Sequence, residues 1–245
     1  MNQLINMKTR SVILCLSLFL LSAGEVFSQE GEKDLSVNVS ADIVSRYVWR
    51  GMNLSSSPVA QPALSLSIGN LSIGSWASYS FSPELFQEVD LFLTYETSYV
   101  SLTINDYYNP VDTLGSSGDY FHLGKASTRH TLEGMIALNG PESFPVSLIA
   151  GVMFYGNDRD EEGNNLYSTY LELNYTAGIR DVELMPFIGI TPSAGYYGDS
   201  FGVVNMGITA VRNINISEKF QIPVKGSFIV NPQQEKVFFV IGITF

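Results

Sequence analysis

The 245-residue chain is poor in cysteine, histidine and charge: one Cys, two His, and 15 % charged residues. A single thiol, Cys15, rules out a disulfide framework, and no Cys/His set has metal-ligand spacing. The 13 basic residues against 24 acidic ones leave a net charge of −11, the wrong sign for a nucleic-acid footprint. After residue 30 no run approaches the ~18 apolar residues that a membrane-crossing helix needs. No phosphate-binding glycine loop or nucleotide fingerprint occurs, so no cofactor is expected. What the chain has instead is aromatics (13 Tyr, 15 Phe) and 21 Gly.

The first residues read as a targeting segment. Lys8 and Arg10 precede the apolar run 11–21, and small residues through Val26 and Ser28 suit cleavage after position 28. Cys15 lies inside that run, and Leu14 before it is too large for a lipidation site. The expected division is therefore a signal peptide, 1–28, and one exported, cysteine-free domain, 29–245. An acidic chain of this kind fits the envelope of a Gram-negative bacterium.

The last nine residues give the fold. Val237, Phe239, Ile241, Ile243 and Phe245 share one face of a strand, with Phe238, Val240, Gly242 and Thr244 on the other. An apolar strand with nothing left to cover it is an aggregation hazard in water. It is satisfied if it closes a ring with the first strand and shows its apolar face to lipid. A terminal aromatic in this setting is also what the barrel-assembly machinery reads, which makes that machinery an expected partner. The alternative is the buried last strand of a soluble sandwich.

From Ser36 onward the hydropathy alternates with period two in segments of roughly ten residues. This predicts an all-β, up-and-down transmembrane barrel of about twelve antiparallel strands. The first strand is expected over 36–50 and the last over 237–245. Long polar breaks at 51–58, 82–87, 109–127, 156–165, 192–199 and 231–236 alternate with short ones such as Gly69-Asn70. That is the pattern of outer loops and inner turns. Pro62, Pro186 and Pro223 fall inside strands, where each removes a ladder hydrogen bond, so a bulge or strand boundary is expected near each.

The stretch Tyr47-Val-Trp49-Arg50-Gly51, followed by Ser55-Ser-Ser57-Pro58, Gln61-Pro62 and Gly74-Ser-Trp76, resembles the TorF-type porin family. These are outer-membrane barrels long filed as conserved proteins of unknown function. The resemblance is densest over 42–81. It implies the same fold and location, and it carries no catalytic or binding residues.

If greasy faces meet lipid, charged ones line the lumen. The expected lining is Asp42, Arg46, Arg50, Asp90, Glu96, Arg129, Glu133, Glu172 and Lys225, and with Glu88 and Glu183 it holds seven acids against four bases. The expected function is a small channel for passive passage of solutes, with a mildly cation-favouring interior. Tyr47, Trp49, Tyr79, Tyr107, Tyr155 and Phe245 are expected at the membrane interfaces. A closed structural barrel or a surface receptor or adhesin is the alternative. A lipid hydrolase using His130 and Ser127 is a remote one, since nucleophile and base need contact and an orienting third group. The acidic loop 157–165 matches no calcium-loop spacing and reads as solvated surface. The long loop 109–127 is a candidate constriction.

Overall fold

The computed structural model describes residues 35–82, 86–110, 119–124, 127–218 and 220–245. The expected signal peptide, 1–28, lies outside these. The described residues contain no helix.

Twelve antiparallel strands form the wall. They are β1 (Leu35–Val44), β4 (Val59–Ile68), β5 (Leu71–Ser80), β6 (Gln87–Glu96), β7 (Val100–Tyr108), β8 (His130–Asn139) and β9 (Val146–Gly156), then β10 (Thr169–Tyr175), β12 (Val182–Thr191), β13 (Gly202–Ser217), β14 (Phe220–Asn231) and β15 (Lys236–Thr244). A short β11 (Ala177–Ile179) continues β10 past Thr176. Each wall strand pairs with its neighbours in sequence, and β10 pairs with β12 so that the sheet is continuous there. The ring closes where β1 meets β15, with Asp42, Ile43 and Val44 opposite Thr244, Ile243 and Gly242. Backbone bonds between Ala41 and Phe245, in both directions, extend that seam.

The alternation works as the sequence implies. Val37, Val39, Leu64, Leu66, Leu91, Leu93, Leu102, Ile104 and Phe239 all face outward, Val39 at 73 % and Phe239 at 65 % exposure. So large an apolar belt would aggregate in water and is at home in hydrocarbon. The three prolines sit where the ladder can spare a donor. Toward β5 the register passes from Ala60 to Ala63, leaving Pro62 out. Pro186 faces the break between β10 and β11. Pro223 lies past Val224, where the pairing with β15 stops.

The first strand departs from its expected course. It leaves the wall after Val44, not at position 50, and the chain turns inward as a second, two-stranded sheet: β2 (Tyr47–Trp49) and β3 (Met52–Ser55). The turn between them is Arg50-Gly51, both at positive φ, 48° and 77°. Two such residues between paired strands make the tight turn whose twist suits a hairpin.

Interior burial follows from this hairpin. At the end of the barrel carrying the long loops, the inward residues Gln61, Ser78, Glu88, Asp90, Glu133, Tyr170 and Asn231 are buried. Toward the end carrying the termini, inward Ser65, Ser67, Thr94, Asn174 and Lys225 are half-exposed. The barrel is thus filled in its loop half and hollow in its terminal half.

Candidate functional site

The hairpin starts between β1 and β4 and ends on the far wall. Arg50 donates to Glu133 through both guanidinium arms, Nη1 to Oε1 at 2.5 Å and Nη2 to Oε2 at 3.0 Å. Glu133 is fully buried. Tyr107 donates to it at 2.7 Å and Tyr197 at 3.2 Å. The guanidinium carbon also lies 4.7 Å from the ring centre of Trp49 and 4.5 Å from that of Tyr170. Arg50 is therefore held by a carboxylate and a cage of rings, the setting in which a guanidinium tolerates burial. Burial pushes the Tyr197 phenol above its ordinary value, against the pull of Arg50, so it remains a donor.

Gly51 is forced by space. A Cβ there would lie 2.0 Å from the Val204 carbonyl oxygen of β13. Its own carbonyl accepts a bond of 3.1 Å from the Asn231 side chain on β14. The hairpin tip thus touches β8, β10, β13 and β14, which makes it a bar across the bore. Met52, Met153, Tyr170, Tyr197 and Val204 pack around it, and Val44, Val59, Ile229, Phe238 and Val240 pack at its root.

Below the hairpin is a cavity of about 510 Å³, lined by Tyr47, Trp49, Trp76, Asp90, Asn105, Tyr107 and Lys225 among others. A hollow of similar size, about 520 Å³, lies on the outer wall around Gly134, Leu93 and Ile104. It belongs to the lipid-facing surface.

Several expected site residues come together and others do not. Arg50, Glu133 and Tyr107 form one cluster. Lys225 pairs with Asp42, which also accepts from Thr244 at 2.6 Å, so three strands are tied across the seam. Arg46 lies over the Phe238 ring at 5.9 Å. Asp90 accepts from the Tyr108 backbone at 3.3 Å. Glu172 accepts from Tyr170 and, at 3.0 Å, from Asn205. Glu96 ends β6 and is exposed at the terminal end, whereas Arg129 precedes β8 at the loop end, outside the wall strands.

The interfacial aromatics need correction. Tyr47 packs tilted or edge-on against Trp76 and Phe86, and Trp49 against Tyr107, Tyr196 and Tyr197. Tyr47, Trp49 and Tyr107 are therefore interior residues, because the hairpin carries the first two off the wall and Tyr107 points to Glu133. Tyr79 and Phe245 are exposed, at opposite ends of the wall. Tyr155 donates its hydroxyl to the Leu123 carbonyl at 2.6 Å.

That bond reveals a second departure. The described part of the long loop, 119–124, lies against the outside of the wall and forms no constriction. His130 is buried there, its Nδ1 facing the Asp106 carboxylate at 2.8 Å and its Nε2 facing the Tyr120 carbonyl at 2.7 Å. Burial, then the Asp106 carboxylate, then Tyr108 raise the Tyr120 phenol above its ordinary value. Both His130 nitrogens are occupied, so it is not poised as a base for Ser127. Ser127 instead meets His122, Oγ to Nε2 at 2.5 Å, and among the described residues no carboxylate orients that ring.

No family model and no curated protein matches the chain. Among solved structures, the COG4313 outer membrane channel from Pseudomonas putida F1 is similar at 14 % identity, covering 88 % of this chain and 97 % of that one, with a TM-score of 0.42. That likeness is too distant to carry function.

Proposed function

We propose that the chain is an outer-membrane barrel, exported through a cleaved leader, that passes small solutes and is gated by the hairpin β2–β3. The long loops then face outward and both termini the periplasm, with the barrel-assembly machinery engaging β15. The observation that carries the reading is the contact of Arg50 with Glu133 across the bore. The tip is held to the far wall by side-chain contacts, so its docking can be released without unpairing a wall strand.

The hollow terminal half supports a solute path. Its mouth carries Glu96 and Glu183, both exposed. Asp42 and Glu133, deeper in, are neutralised by Lys225 and Arg50. Among the described residues neither of these two acids forms a salt bridge, and acids so placed at a mouth favour cations.

Planar-bilayer recording of the refolded protein tests this. Wild type should open rarely, Arg50→Ala and Glu133→Ala should conduct in steps, and potassium should pass more readily than chloride. Absence of steps from all three sinks the channel reading. The filled loop half would then favour a closed structural or receptor barrel.

A further inference from the structure

Asp106 and His130 break the lipid-facing side of the wall. Asp106 is in register with Leu91 and Leu132, so it shares their outward face, and His130 is in register with outward Tyr108. Bare, these two polar side chains would meet lipid, where polar and charged groups are costly. The segment 119–124 closes over it. The Tyr120 carbonyl accepts from His130 at 2.7 Å, and the Tyr120 ring lies 4.9 Å from both His130 and Tyr108. Tyr155 holds the Leu123 carbonyl at 2.6 Å. The result is a strap fastened to the outer surface at four points.

The strap does not turn its own apolar side chains to the wall. Phe121 is 81 % and Leu123 58 % exposed, on a segment flanked by the lipid-facing Leu91, Leu132 and Phe154. An aromatic and an aliphatic side chain pinned outward beside an apolar belt have one fitting neighbour, which is the bilayer the belt already meets.

We propose that the strap is a lipid-anchoring device, seating Phe121 and Leu123 in the outer leaflet and replacing the apolar contact that Asp106 and His130 remove. The proposal rests on the reading that the wall spans a membrane, and it assigns the loop a partner, the acyl-chain region just below the headgroups. The strap also shields the hydrogen-bonded Asp106 and His130 side chains from that lipid.

Tryptophan quenching tests it. Phe121→Trp, Leu123→Trp and, as a wall control, Phe154→Trp are placed in phosphatidylcholine vesicles brominated at the upper acyl carbons. Trp49 and Trp76 face the lumen and supply a background that bromines do not reach. The emission added at positions 121 and 123 should fall about as far as that at 154, roughly twofold or more, as expected of side chains at interfacial depth. If Phe154→Trp is quenched and the two strap variants are not, the strap lies in water and the proposal fails alone. If none is quenched, the wall does not meet lipid and both readings fall.

Discussion

Arg50 and Glu133 form a two-pronged ion pair across the barrel although 83 residues separate them in the chain. Both side chains are nearly or fully out of solvent, 9 % and 0 % exposed. Removing one partner strands the other charge, which costs about 3–5 kcal/mol in buried pairs. Glu133→Ala should therefore lower the temperature at which the barrel loses its compact electrophoretic form. Replacing both by Met should recover much of that loss, since an apolar pair needs no counter-charge. If the double variant is as unstable as the single one, the pair is not what holds the hairpin.

Gly51 gives a sharper test of position. The clash with Val204 and the positive φ together forbid a side chain while the hairpin stays docked. Gly51→Ala should displace the tip and leave the wall intact. The strand signature in circular dichroism should be unchanged, and Trp49 emission should shift to longer wavelength as the ring leaves its aromatic cage. Unchanged Trp49 emission would show that the tip has room the structure denies it.

The wall was legible because lipid imposes one rule on every strand, and period-two alternation is its direct imprint. The hairpin was hidden by the same rule. Tyr47 and Trp49 keep the parity of Val37, Val39 and Ile43, so the alternation runs on while the chain leaves the wall. The usable signal was Arg50-Gly51 between two short apolar segments, a pair that suits a two-residue turn. The strap was hidden because outward Asp106 and His130 look like errors in the pattern until their shared register shows them to be one feature. Three-dimensional closeness between a loop and the outside of a wall has no period to betray it.

The seam is the place where the wall depends on side chains. β1 and β15 share a short register, and Asp42 links it to β14 by pairing with Lys225 and accepting from Thr244. Asp42→Ala should remove both ties and leave Lys225 without its partner. The groups are partly exposed, so the loss should be modest, about 1 kcal/mol. Hydrogen exchange should rise at Ile43 and Ile243 and not at the β4–β5 pair Leu66–Ile73. Uniform exchange along the wall would mean that the backbone bonds alone hold the closure.

The loop after β9 should respond to acid in a defined direction. Asp160 accepts from the Asn164 backbone at 2.7 Å and from its side chain at 3.1 Å, while Gly163 donates to the Asp160 carbonyl at 3.1 Å. The Asn164 backbone bond, the largest influence, holds the Asp160 carboxyl below its ordinary value. A group depressed by folding stabilises the fold once it ionises in the unfolded chain. Its contribution is thus full above about pH 4 and is lost as pH falls through the lower folded value. The Asn164 amide resonance should hold its position from neutral pH down to the ordinary carboxyl range and move only below it. Asp160→Asn keeps one acceptor oxygen, enough for the Asn164 backbone bond, without the charge, so it should abolish that acid step. An amide that titrates near neutral pH, or a step that survives in Asp160→Asn, would assign the loop's order to another group.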